Sequence, residues 1–125
     1  MKYLGIDFGF KRIGLAISEG ELASPLKILE IKNFNDAVIK IDEVVKGGGF
    51  EKIVIGLPEG KIGKIVLKFV NAIKKKGLDI ECADETLSSK KALQEMIDLN
   101  VSQKSRSKND SVAAAIILQN YLDNL

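Results

Sequence analysis

The chain has no histidine and no tryptophan, and only one cysteine and two prolines in 125 residues. Without histidine there is no Ser-His pair, no imidazole general base and no Cys/His zinc site. Acid–base or metal chemistry must rest mainly on carboxylates. A lone thiol, Cys82, cannot form an internal disulfide, which favours a reducing compartment. Aromatic residues make up 6% of the chain, so there is no array on which a nucleic acid strand could stack. No apolar run approaches the length of a membrane span, and Asp7 interrupts the first apolar stretch before a signal sequence could form. These gaps predict a soluble cytoplasmic protein with no membrane partner, built as one domain over residues 1–125. The formal charge of +2 is too small to announce a polyanion partner, so any basic patch must come from clustering.

What is present is organised around Gly5-Ile6-Asp7-Phe8-Gly9-Phe10-Lys11-Arg12-Ile13-Gly14-Leu15-Ala16. Two apolar runs around a short Gly-containing link predict a β-hairpin. Alternation puts Asp7 on one face with Gly5 and Tyr3, and on the returning strand Gly14, Ala16 and Ser18 share a face. One hairpin face is bulky and apolar; the other is small and carries a carboxylate. Side chains missing beside a charge predict that something large approaches there. Asp7 is also a common turn residue and needs no further role on this evidence alone.

A third extended run, Leu26 to Ile31, follows Pro25 and completes an antiparallel meander. Asn33 to Asp36 predicts a helix start, with Ala37/Val38, Ile41 and Val44/Val45 as its apolar stripe and Gly47-Gly48-Gly49 as its end. Lys52 to Leu57 is apolar without alternation, as in a parallel strand covered on both faces. Ile62, Val66, Phe69, Val70 and Ile73 mark a second helix closing in Lys74-Lys75-Lys76-Gly77. Asp79 to Ala83 is a last strand, and Ser88 or Ser89 can cap a helix carrying Ala92, Leu93, Met96 and Ile97. Asn100 to Asn109 is polar, basic and Ser-rich and predicts a mobile loop. A final helix is predicted from about Asp110 to Leu122, with Asp110 opening the stripe that packs inward. The order β-β-β-α-β-α-β-α-α predicts a mixed sheet, part antiparallel meander and part parallel, with helices on both faces.

Three acids then fall at element ends. Asp7 ends the first strand, Glu85 follows the last, and Asp110 opens the last helix. Ligands of open α/β sheets bind outside the carboxyl ends of parallel strands. Three clustered carboxylates repel one another and need a counter-charge. Mg²⁺ or Mn²⁺ suits all-oxygen ligands, and two such ions about 4 Å apart serve phosphodiester hydrolysis. Taken singly, Asp110 is also explained as a helix-dipole partner and Glu85 as a solvated loop acid; only the joint placement favours chemistry. Lys11 and Arg12 just after Asp7, and Lys104, Arg106 and Lys108 just before Asp110, flank the proposed site as candidate phosphate contacts.

Four blocks carry a family resemblance: GIDFGFKRIGLAIS from Gly5 to Ser18, VIGLP from Val54 to Pro58, DETLSS from Asp84 to Ser89 and NDSVAAAIILQNYL from Asn109 to Leu122. In this order they resemble the YqgF-type nucleases, a family described as pre-16S rRNA nucleases or as Holliday-junction resolvases. The resemblance implies an RNase H-like fold with a five-stranded sheet. It implies Asp7, Glu85 and Asp110 as metal-binding catalytic acids on Mg²⁺ or Mn²⁺, and Arg12 as a site base. The implied partner is structured RNA (pre-rRNA) or branched DNA, and the implied state a monomer or homodimer. The chain departs from the family pattern at Thr86, where an Arg is usual, and in a short loop after Pro58. Those departures keep open a module that binds nucleic acid without cutting. The GIDFG stretch also resembles the phosphate loop of actin-like ATP-binding proteins, but those use two duplicated domains.

Overall fold

The computed structural model describes the backbone of residues 1–84 and 103–125, and the side chains of 1–83 and 111–125. Its elements are β1 (Tyr3–Phe8), β2 (Arg12–Ser18), β3 (Ala23–Glu30), α1 (Phe34–Gly48), β4 (Lys52–Leu57), α2 (Lys61–Lys75), β5 (Ile80–Asp84) and α3 (Gln103–Asp123). The strands form one five-stranded sheet in the order β3-β2-β1-β4-β5. β1, β2 and β3 pair antiparallel, while β1, β4 and β5 are parallel neighbours. This is the mixed sheet expected from the strand order. The helix expected after Ser88 or Ser89 lies outside the described residues, as do Glu85 and Thr86.

The two sheet faces differ in size, as alternation along the hairpin predicts. Leu4, Ile6, Ile13, Leu15, Ile53 and Ile55 form the bulky face, buried under α1 and α2. Phe69 of α2 is fully buried there, with Phe8 at 5.0 Å and Phe34 edge-on at 6.2 Å between ring centroids. α1 starts where Asn33 accepts the Asp36 amide hydrogen at 2.8 Å, and Asp36 in turn accepts from the Lys32 amide at 2.8 Å. α1 ends at Gly49 in the left-handed region (φ 66°).

The small face lies under α3. Ala16 and Val54 pack against Ala114, Ala115, Ile117 and Leu118, with Tyr3 and Ala83 alongside. At Gly5 the helix comes so close that a Cβ would sit 2.8 Å from Leu118 Cβ and 2.9 Å from the Ala114 carbonyl oxygen. The large object predicted beside the hairpin's missing side chains is therefore α3.

Two element starts, those of α3 and β3, differ from expectation by more than a residue or two. α3 begins at Gln103, so residues 103–109 are helical and Asp110 stands in the third turn, not at the helix start. The stretch is polar, but it contains no Gly or Pro, and Gln, Lys and Arg are good helix formers. Polarity there does not break the helix. β3 begins at Ala23, earlier than Leu26, and runs through Pro25. Proline is tolerated because β3 is an edge strand, and the pairing with β2 shifts register between Leu15 and Ala16. The ends of that edge are capped by side chains. Gln119 accepts the Ala23 amide hydrogen at 2.8 Å, and Lys40 Nζ donates to the Glu30 carbonyl at 2.6 Å. Such devices discourage a further strand from pairing.

The far end of α3 is tied to the sheet by Tyr121, whose hydroxyl donates to Glu81 Oε2 at 2.7 Å, while Lys52 Nζ sits 3.1 Å from the same oxygen. The phenol hydrogen bond, then the ammonium, hold the Glu81 carboxyl below its ordinary value of 4.5. A depressed carboxyl contributes stability above its unfolded value and loses it as pH falls through the folded one. Acidification below about pH 4.5 should therefore cost the native chain more melting temperature than Glu81→Gln, by about 1–3 °C, because the group is half exposed. Melting curves of both proteins from pH 6 to pH 3 check this; parallel curves would refute it.

Candidate active site

The parallel register fixes what meets at the carboxyl edge of the sheet. Ile6 lies level with Ile55, and Ile55 with Cys82, so Asp7 on β1 falls level with Gly56 on β4 and Ala83 on β5. On its other side Asp7 pairs with Gly14 of β2. Asp7 is half-buried, and along the α3 side of the sheet its neighbours are glycine, glycine and alanine. A carboxylate thus stands on a floor of small residues at a sheet edge. β5 ends at Asp84 at this same edge. Glu85, the next residue, lies outside the described residues.

α3 runs antiparallel to β1. Ala114 and Leu118 lie over Gly5, and further along the helix Tyr121 meets Tyr3 at 6.2 Å between rings. Position 110 is one helical turn before Ala114 on the row 110, 114, 118. A turn is about 5.4 Å, and two strand residues, Gly5 to Asp7, span about 6.6 Å. Position 110 therefore stands one turn nearer the Asp7 edge than the Gly5 contact. The fold brings the backbone at Asp7, the end of β5 and position 110 to one region, from places far apart in the chain.

The β1–β2 link supplies the cations. Phe10, Lys11 and Arg12 are exposed at the hairpin tip. A cleft of about 390 Å³ is lined by Asp7, Phe8, Gly9, Phe10, Lys11 and Arg12. The turn is tight: a Cβ on Gly9 would lie 2.6 Å from the Arg12 carbonyl oxygen. The Lys11 carbonyl accepts the Ile31 amide hydrogen at 3.0 Å, anchoring the tip to the end of β3. Larger hollows lie elsewhere, one of 500 Å³ between α1 and β3 and one of 560 Å³ beside Met1 and Leu125, and neither includes Asp7.

The second basic group changes with the helix boundary. Lys104, Arg106 and Lys108 lie in the first turns of α3, not in a loop. Alternate helical positions are about 200° apart, so 104 and 108 share one side and 106 the other, on the row that leads to 110, 114 and 118. As positions they do not make one patch.

The sequence reading gave no weight to Gly56 and Ala83 as site residues. Strand pairing, which brings them level with Asp7, is invisible in the order of residues. Lys61 and Lys64 also stand at this edge, at the start of α2, a helix whose cap residue Gly60 makes no side-chain bond and whose first turn holds no acid.

Comparisons with known proteins agree with this geometry. A family model described as RuvX: Holliday junction resolvase matches residues 1–124. A protein of Desulforamulus reducens named "Putative pre-16S rRNA nuclease" is 34% identical over 134 residues, covering 99% of this chain and 98% of its own. One of Clostridioides difficile with the same name is 35% identical over 132 residues, covering 98% and 94%. Among solved structures, Thermus thermophilus RuvC in complex with Holliday junction substrate superposes with a TM-score of 0.67 at 17% identity, covering 99% of this chain and 94% of that one. Fowlpox virus resolvase with Holliday junction DNA gives 0.63 at 12%, covering 99% and 98%. At these identities the structures establish the fold, which is RNase H-like.

Proposed function

The chain belongs to the RuvX family of Holliday junction resolvase-like nucleases, and from that membership and its sheet edge we propose a divalent-metal-dependent endonuclease that processes structured RNA, the precursor of 16S rRNA, in the cytoplasm. The observation that carries the reading is the parallel run β1-β4-β5, which brings Asp7 and the end of β5 at Asp84 to one edge, with position 110 of α3 approaching it. The naming of relatives as pre-16S rRNA nucleases supports the substrate.

In this reading Asp7, Glu85 and Asp110 hold Mg²⁺ or Mn²⁺. The donor set fits a hard cation, since the chain offers carboxylates and no imidazole. When bound, the ions would supply a water nucleophile at neutral pH and charge for the leaving oxygen. The small residues Gly14, Gly56 and Ala83 leave room beside Asp7 for a phosphate at the strand end. Lys11 and Arg12 grip phosphate at the cleft mouth, and the first turns of α3 offer further contacts, from Lys104 and Lys108 at positions on one side or Arg106 on the other. Arg12→Ala is expected to weaken RNA binding about equally for all sequences and to lower the slope of log affinity against log salt by about 1. Titrations at several salt concentrations check this; an unchanged slope would remove Arg12 from the phosphate contacts.

The test is a cleavage panel: labelled 16S precursor, unstructured single strands and a four-way DNA junction, each with Mg²⁺, Mn²⁺ or Ca²⁺. Metal-dependent cutting of the precursor is expected, and no cutting of any substrate would overturn the nuclease reading. The family description favours a second reading, a resolvase of branched DNA. Two strands must then be cut by two sites, so it requires a dimer on the junction. Cutting of the junction with twice the monomer mass bound would favour it.

A further inference from the structure

The chain contains five phenylalanines, and four have a packing role. Phe8 and Phe34 pack against Phe69, tilted and edge-on, and Phe50 lies under the Lys2 ammonium at 4.9 Å. Phe10 has no such contact among the described residues and is 58% exposed. Leaving a large ring in water forfeits the free energy of its burial. The ring stands at the tip of the Asp7 hairpin, one residue before Lys11, and lines the same cleft as Asp7, Lys11 and Arg12. The tip is a tight turn at Gly9 and is anchored by the hydrogen bond from the Ile31 amide to the Lys11 carbonyl, next to the ring.

A cation pair that takes a phosphate, with an exposed aromatic ring beside it, matches the two halves of a nucleotide. Flat rings bind bases by stacking, whatever the base, but only a base free of its own stack can be reached. We propose that Phe10 stacks on an unpaired nucleobase adjoining the phosphate at Asp7, Lys11 and Arg12, so that the protein selects sites carrying an unpaired nucleotide. This rests on the nuclease reading for the identity of the cleft and adds the feature of the substrate that the cleft recognises.

The absence of tryptophan makes a direct test available. Phe10→Trp is a single-tryptophan reporter at an exposed position. Its emission is titrated with three short RNA duplexes: one with a single bulged adenosine, one with an abasic nucleotide in the bulge, and one fully paired. Binding is followed separately by mobility shift. The expected result is quenching by the bulged adenosine alone. Equal emission changes with all three, no change at saturation, or no binding of any duplex would overturn the proposal. In cleavage, Phe10→Ala should raise KM for the bulged substrate by between about 5-fold and about 100-fold, with little change in kcat, and Phe10→Tyr should restore it. Base-dependent quenching with no metal-dependent cutting would sustain the stacking and remove the nuclease. Cutting with base-independent emission would do the reverse.

Discussion

Asp7→Asn is expected to lower the single-turnover cleavage rate about a thousandfold or more while RNA binding persists. The substitution keeps size and shape but replaces a charged oxygen donor with a neutral amide. An ion that contributes several kcal/mol of charge stabilisation is lost with its ligand, and each 1.36 kcal/mol is a factor of ten in rate. Affinity should largely hold, because Lys11 and Arg12 remain as phosphate contacts. The melting temperature should move little, since Asn matches Asp in size and position 7 is half-buried at a sheet edge. Rates measured with enzyme in excess, beside binding by mobility shift, separate the two effects. Equal cleavage by the two proteins would place the chemistry elsewhere. Loss of binding in parallel with cleavage would make Asp7 a structural residue of the hairpin.

That prediction depends on an acid already conspicuous in the sequence, at the end of an apolar run beside glycine and two cations. The strands, both faces of the hairpin and the helices α1 and α2 were legible because each obeys a local rule. Period-two alternation marks β1 and β2, an unbroken apolar run marks β4, and Asn33 and Gly49 bracket α1. β4 begins and ends at the expected residues, Lys52 and Leu57. What was not legible is set by partners. Pro25 reads as a strand boundary unless one knows that β3 is an edge. Residues 103–109 read as a loop because their polarity was weighed and their helix propensity was not. Gly56 is an ordinary strand glycine until the register sets it level with Asp7. Gly5 was correctly expected to face something large, but whether that was substrate or protein could not be known from a missing side chain. The remaining acid of the proposed trio, Glu85, lies outside the described residues, which end at this point with β5 at Asp84.

Gly5→Ala is expected to damage both stability and catalysis, because one contact serves both. The added Cβ would meet Leu118 Cβ at 2.8 Å and the Ala114 carbonyl oxygen at 2.9 Å. Neither atom is the free end of a flexible side chain, so α3 itself must shift. Overpacking of this kind costs about 1–3 kcal/mol, or roughly 3–10 °C in melting temperature. The same helix carries position 110 one turn beyond Ala114, and a displacement near 1 Å at a reacting group costs about a hundredfold in rate. Measured well below the melting transition, kcat should therefore fall by about that factor while RNA affinity, set by the hairpin tip, stays nearly constant. Gly20→Ala is the control: the same change in the turn between β2 and β3, with nothing within 4 Å of the new methyl. It should leave both quantities unchanged. A Gly5→Ala protein that melts lower yet cuts at the native rate would show that α3 supports the sheet without positioning the site. One that keeps both properties would show that the helix does not rest on Gly5 at all.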